Sequence, residues 1–325
     1  MPRSARLDLP GLLQHVMVRG IEKRNIFHED KDREFFLERL SRLLQETETD
    51  CLAWSLMPNH LHLLLRPRRG KLAFLMRRLL TGYALHFNLR YNRTGHLFQN
   101  RFKSIVCEEE PYLLESIRYI HLNPLRSGLV QDIGELDHYP WSGHAVLVGK
   151  RQWVGQKVDE VLAHFETRKK FARSRYRNFV IEGIPQGRRD ELVGGGMRRI
   201  LKLTGDEEAG GYDERVLGRR EFVETLRQNR ELSDRLPIVM PIPELVERIA
   251  NFFGIKPEEL KQRNKRKNFA DARSLISYFA VREMSHNGVE VAGILKMSRS
   301  GVSVAANRGK RLVQANPSLR NLMGN

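Results

Sequence analysis

Two imidazoles one residue apart, His60 and His62, sit inside the apolar run MPNHLHLLLRP at residues 57–67. A strand alternates its side chains between faces, so the two rings point the same way and Leu61, Leu63 and Leu65 take the other face. Like-facing imidazoles are half of a metal site, or simply two histidines that pack, and the H-x-H pattern alone favours packing. Further along, Tyr119 and Asn123 stand four residues apart in EEPYLLESIRYIHLN and share a helical face. Core packing and a cap before Pro124 would explain those two alone. Together, His60, His62 and Asn123 supply two nitrogens and an amide oxygen, a set that suits a divalent cation with positions left open for a phosphate.

These side chains need elements to hold them. QHVMVRG, residues 14–20, reads as a strand ended by Gly20. HEDKDREFFLERLSRLLQETET carries Phe35, Phe36, Leu40, Leu43 and Leu44 at helical spacing behind an acidic start. CLAWSLM and HLHLLLRP are two strands around the turn Pro58-Asn59. GKLAFLMRRLLTGYALHFNLRYN is a helix with a basic face containing Arg77, Arg78 and Arg90, and RFKSIVCEE is a fourth strand. A helix then begins around Pro111, tolerated in a first turn, and Pro124 is expected to stop it. Strand, helix, strand, strand, helix, strand is the split βαβ pattern of a ferredoxin-like antiparallel sheet, an α+β fold. Helices cover one face. The other is free for a ligand or for the helix at 109–123.

The chain has 325 residues, room for about two domains, and an apolar fraction of 41%, enough for a sizeable core. Its net charge of +17 points to a polyanionic partner, most often nucleic acid. No apolar run approaches the ~20 residues of a membrane helix, and the first residues lack the pattern of a signal peptide, so a cytoplasmic, nucleoid-associated protein with no membrane partner is expected. Cys51 and Cys107 are too few for a cysteine zinc site and read as small buried hydrophobes. Three regions are expected: a sheet domain over 1–150, a charged helical or flexible linker over 151–235 that includes VGGG and GDEEAGG, and a compact helical unit over 236–325.

MPNHLHLLLRP, GHLFQNRFKS and YLLESIRYIHLNPLRSGLV closely resemble the REP-associated tyrosine transposases, of the HUH-type single-tyrosine family, and HVMVRGIEKRNIFHEDKDREFFLERL looks like that family's opening. The resemblance spans roughly 1–148. It implies that His60 and His62 are the HUH pair, that Asn123 completes a site for Mg²⁺ or Mn²⁺, and that Tyr119 is the nucleophile. It also implies single-stranded or hairpin DNA as substrate, cut and rejoined through a 5′-phosphotyrosine. A free phenol, with a pKa near ~10, is a poor nucleophile at neutral pH, so a cation polarising the phosphate would matter. Tyr112 is a rival on nearly the same face, two turns from Asn123, and is expected to pack. Arg101 and Lys103 alternate on one strand face and read either as phosphate contacts or as simply solvated. His96, His121, His138 and His144 are expected to be structural or surface residues, with DNA contact the alternative for His96.

ELVERIANFFGIKPEELKQRNKRKNFADARSLISYFAVREMSHNGVEVAGILKMSRSGVSVAANRGKRL resembles the DNA-binding domain of the bacterial replication initiator DnaA. That implies an all-α helix–turn–helix domain that binds duplex DNA, with Ser298 or Ser300 capping the recognition helix. The DNA contacts would come from Lys265, Arg266, Lys267, Arg273, Arg299 and Arg308. SRSGVS replaces the initiator's box-reading segment, so its target sequence is not carried over, and no phosphate-binding loop implies its ATPase. Two other readings stay open: a DNA-binding regulator whose catalytic sheet is disused, and a metal-dependent nuclease that uses water.

Overall fold

In the computed structural model, which describes residues 6–187, 189, 192, 213, 215–229, 231–232, 240–262, 266–284 and 286–323, an antiparallel sheet is built around the first strand. β1 (Leu13–Arg19) pairs with β3 (His60–Pro67) on one side and β4 (Lys103–Cys107) on the other, and β2 (Thr49–Met57) pairs with β3 beyond it. The register sets Met17 opposite His62, Arg19 opposite His60, and His15 between Leu64 and Ile105. Facing residues share a side of the sheet, so His15, His60 and His62 lie on one face. Val16, Val18, Leu61, Leu63 and Leu65 occupy the other, buried with Phe36 and Leu40 of α1 (Asp30–Glu46) and with Leu75, Leu79 and Tyr83 of α2 (Leu72–Arg90). Asp8 caps α2 from outside the helix: Leu72 N and Ala73 N donate to its carboxylate at 2.7 and 2.9 Å. The order of strands and helices is the ferredoxin-like α+β arrangement.

The histidine face is covered by α3 (Glu109–His121), whose Leu113, Ile117 and Ile120 bury against Leu13, Leu64, Ile105 and Cys107. Arg66 on β3 ion-pairs with Glu109 in the first turn of α3 and with Asp50, 3.1 Å away, on β2. α3 ends at His121, ahead of Pro124 as expected, but Pro124 does not end helical structure. It is buried in a further helical turn, α4 (Asn123–Arg126), where a missing N–H costs nothing.

Past residue 150 the chain is helical, as the sequence reading has it, but its first helices pack into the sheet domain's core instead of acting as a linker. After α5 (Ile133–His138) and α6 (Gly143–Leu147), α7 (Val158–Ala163) and α8 (Lys169–Glu182) bury Val161, Leu162, Ala172, Tyr176 and Val180 in the same core as α3. Tyr176 Oη lies 2.7 Å from His121 Nδ1 and 2.9 Å from His144 Nδ1. His144 Nε2 meets Asp137 at 2.9 Å, and Asp137 accepts from Arg177. Val216–Leu217 adds a fifth strand, β5, parallel to β4, and α9 (Arg220–Gln228) follows. The glycine runs 193–196 and 205–211 lie outside the described residues. By contact density the chain divides into two units, 1–197 with 214–225 and 198–213 with 226–325.

The second unit is helical: α10 (Ile242–Phe253), α11 (Lys267–Tyr278), α12 (Gly288–Ile294) and α13 (Arg299–Ala315). Gly254 ends α10 in the left-handed conformation. Asn287 caps α12 and Ser298 caps α13, accepting from Val289 N and Gly301 N at 2.9 and 3.0 Å. Gly309 lets α13 lie on α11, since a Cβ there would stand 2.1 Å from Ser274 O. No helix among the described residues is long and apolar enough to cross a membrane.

Tyr176→Phe removes one oxygen and leaves two buried imidazole nitrogens without a partner. Urea denaturation of the full chain should show a loss of about 2–4 kcal/mol, and an unchanged midpoint would contradict the clamp.

Candidate active site

His62 is at the centre of the ring cluster. Its Nδ1 lies 2.8 Å from His15 Nε2, and its ring centroid lies 5.1 Å from that of His15, 5.4 Å from His60 and 6.1 Å from Tyr119. The Tyr119 ring also stands edge-on to His15 at 5.9 Å. His60 Nδ1 meets the Asn59 side-chain oxygen at 2.6 Å. Burial pushes the pKa of His15 and of His60 down to about 4, and takes His62 well below the ordinary histidine range, helped by His15 and His60 beside it. All three rings are therefore neutral at pH 7, the form that ligates metals.

Hydrogen bonding also selects the tautomer. His15 bonds the backbone of Leu192 in a way that favours its protonated ring, as a ring N–H donating to a carbonyl does. With Nε2 facing His62, that donor is Nδ1, so a neutral His15 accepts at Nε2 from His62 Nδ1–H. The lone pair of His62 is then on Nε2. Asn59 Oδ1 likewise accepts a hydrogen bond from His60 Nδ1–H, which leaves Nε2 as the lone-pair atom of His60. Neighbours that fix the N–H side of a ligating imidazole are a regular part of metal sites.

Asn123 is held by its own helix end: Nδ2 donates to Tyr119 O at 3.1 Å and to Ile120 O at 3.4 Å. Those acceptors identify the nitrogen, and the side-chain Oδ1 has no donor among the described residues. The described residues contain no group of three or more His, Cys, Asp or Glu placed to hold a metal ion. What this face offers a cation is the pair of neutral Nε2 atoms of His60 and His62; Asn123, one helical turn past Tyr119, carries an amide oxygen.

His60 and His62 line a cleft of about 270 Å³ with Arg19, Arg101 and Lys103, and no carboxylate of the described residues is in its wall. Arg101 and Lys103 are thus beside the histidines. Tyr119, 8% exposed, is packed against the rings and is not part of that wall. Tyr112 packs on the core beside Leu113 and Ile117. His121 and His144 are buried in the Tyr176 cluster, His138 bonds Gly134 O, and His96 is exposed.

In the second unit Arg266 and Lys267 are exposed at the start of α11 and Arg299 at the start of α13, while Lys265 lies outside the described residues. Arg308 ion-pairs with Asp271, and Arg273 donates to the carbonyls of Leu260 and Gln262, so both also hold this unit together.

Three residues near the candidate site escaped the sequence reading. His15 and Asn59 need the strand register and turn geometry to be seen. Arg126 was accessible by spacing, seven residues past Tyr119 and so two turns on. Its guanidinium carbon lies 5.4 Å from the Tyr119 ring centre, Nη2 reaches Gly183 O at 3.4 Å, and buried Nε and Nη1 have no partner among the described residues. Burial lowers its pKa and the neighbouring Tyr119 raises it.

Residues 9–123 match the sequence profile of the family described as "Transposase IS200 like". This segment runs from just before β1 to Asn123, and that part of the chain is transposase-like. A solved structure of a REP-associated tyrosine transposase bound to a REP hairpin is 14% identical, with a TM-score of 0.39, and the match covers 48% of this chain and 98% of that one. No curated protein matches the chain.

The buried neutral rings make stability depend on pH. Unfolded imidazoles take up protons near 6.5, whereas His15 and His60 do so only near 4 when folded. Their effect is absent above the unfolded value, and stability falls as pH drops from 6.5 toward 4. In EDTA the thermal midpoint should fall over that window, with a shallower slope in His15→Gln, which removes one such group. A flat profile would contradict the burial of these rings as neutral groups.

Proposed function

We propose that this transposase-like unit cleaves and transfers single-stranded DNA, at hairpins of repeated palindromes, through a covalent bond to Tyr119. The observation that carries the reading is the Tyr119 ring packed against His62 and His15, on the sheet face whose neutral imidazoles suit a divalent cation. His60, His62 and Asn123 would hold Mg²⁺ or Mn²⁺, which when bound supplies Lewis-acid charge at the scissile phosphate. Tyr119 Oη bonds to phosphorus while the bond to the 3′ oxygen breaks. The phenolic proton passes to solvent and the 3′ oxygen takes one up, giving a 5′-phosphotyrosine and a 3′-hydroxyl. Because the phosphotyrosine is still a diester, a 3′-hydroxyl can later attack it and rejoin strands without ATP. Arg126 places positive charge beside the ring as the phenol loses its proton. Arg101 and Lys103 hold the strand over the cleft. Substrate entry must uncover the phenol, which is only 8% exposed.

The hairpin form of the substrate rests on the resemblance of MPNHLHLLLRP and its companion segments. A regulator that only binds has no use for a phenol packed against neutral imidazoles, and a nuclease that uses water shares the histidines but not the tyrosine. The second unit is proposed to bind duplex DNA as a helix–turn–helix, with α12 and α13 as the pair and Arg299 at the capped start of the recognition helix.

With a labelled hairpin and Mn²⁺, a denaturing gel should show a covalent protein–DNA band. EDTA, His60→Ala and His62→Ala should each abolish it, Asn123→Ala should reduce it less because water can replace a neutral oxygen, and Tyr119→Phe should lose both band and cleavage while Tyr112→Phe keeps them. Cleavage by Tyr119→Phe would favour the nuclease, and DNA binding without any cleavage by the wild type would favour the regulator.

A further inference from the structure

Asn59 stands in the turn between β2 and β3, next to His60, and both ends of its side chain are used. Oδ1 meets His60 Nδ1 at 2.6 Å, and Nδ2 donates to Lys23 O at 3.1 Å. An asparagine kept for turn geometry alone bonds its own backbone two residues on. Here one end holds a candidate ligand ring and the other reaches 36 residues back, into the segment 20–25 that leaves β1. That segment folds back on itself. A Cβ at Gly20 would stand 2.1 Å from Arg24 O, so glycine alone allows the reversal, and Glu22 and Lys23 both take left-handed φ, 53° and 62°. Non-glycine residues seldom adopt that conformation, and it persists only where neighbours enforce it. The turn Pro58-Asn59 supplies the enforcement. Gly20 N donates to Asn59 O at 2.9 Å, Ile26 N donates to Pro58 O at 2.7 Å, and the Asn59 amide holds the Lys23 carbonyl between them. The side chains of Glu22, Lys23, Arg24 and Asn25 are exposed, so none of them anchors the segment in the core.

We propose that Asn59 is a positioning residue that couples the cation site to the segment 20–25, an inference that rests on the metal reading of His60 and His62 and goes beyond it. With its nitrogen committed to Lys23 O, the amide presents only oxygen to His60. That fixes the N–H side of the ring and leaves Nε2 for a cation. A cation that immobilises His60 then immobilises Asn59, and through Nδ2 the carbonyl of Lys23. The coupling runs both ways: a segment held in its left-handed form keeps Asn59, and so His60, in the orientation a cation needs. One side chain is enough, because the ring and the carbonyl are bonded to the two ends of a single planar group.

Calorimetric titration of Mn²⁺ into the full chain, without DNA, tests this on two variants. Asn59→Ala removes both contacts and should weaken Mn²⁺ binding about 10–100-fold. Asn59→Asp keeps an oxygen acceptor for His60 but loses the donor to Lys23 O, and should recover most of that loss. Hydrogen exchange reads the other end of the coupling. Mn²⁺ should slow exchange at the amides of Lys23 and Arg24 about fivefold in the wild type and in neither variant. Both variants change a part-buried turn residue, and an intact near-ultraviolet dichroism spectrum checks their fold. Unchanged Mn²⁺ affinity in Asn59→Ala, equal weakening in both variants, or wild-type exchange that ignores Mn²⁺ overturns the proposal and leaves the metal reading in place. A wild type that binds no Mn²⁺ overturns the metal reading and this coupling with it. The covalent band on a hairpin is read separately, and its absence bears on strand transfer alone.

Discussion

The position of α3 across the sheet is the constraint on which everything else depends. A helix laid on a sheet by apolar contacts alone can slide, because such contacts are not directional. Here both ends are tied by polar groups. Arg66 of β3 holds Glu109 in the first turn, and Tyr176 of α8 holds His121 in the last. Between the ties Leu113, Ile117 and Ile120 fill the core, which leaves Tyr119 against His15 and His62. The His121 tie is fully buried, so removing the Tyr176 hydroxyl would leave His121 Nδ1 unsatisfied, and this end of α3 is strongly determined.

The electrostatics of the face follow from that coverage. Under α3 the imidazoles lose water and stay neutral, which spares the site a further cluster of positive charge and keeps ring nitrogens available to a cation. The fixed positive charges sit around the rings instead, at Arg19, Arg101, Lys103 and Arg126. Cations at the rim and neutral ligands at the centre are what a phosphodiester approaching a divalent ion would require.

Much of this is legible in the sequence. Period-two alternation in HLHLLLRP separates His60 and His62 from Leu61 and Leu63, and the spacing of Tyr119 and Asn123 follows from one helical turn. The strand and helix order through α3 agrees with the observed sheet, and of the two serines offered as caps for α13, Ser298 is the one that accepts from the helix. Three-dimensional pairing supplies the rest. His15 becomes a partner of His62 only through the β1–β3 register. The helical character of the stretch containing Ala172, Tyr176 and Val180 agrees with the reading of 151–235, but its many lysines and arginines hide the apolar stripe that packs it into the core with α3. The two residues of β5 are too short for any periodicity, and Arg273, read as a DNA contact, holds backbone carbonyls of the preceding loop.

The central claim is that Tyr119, and no other group, becomes bonded to DNA. Trypsin offers a direct reading, because cleavage after Lys103, Arg118 and Arg126 puts Tyr112 and Tyr119 in different peptides, SIVCEEEPYLLESIR and YIHLNPLR. The covalent complex formed on a hairpin in Mn²⁺ is digested with nuclease and trypsin and the peptides are weighed. The account predicts a nucleotide remnant on YIHLNPLR, with SIVCEEEPYLLESIR unmodified. A remnant on the Tyr112 peptide, or cleaved DNA with neither peptide modified, would contradict it.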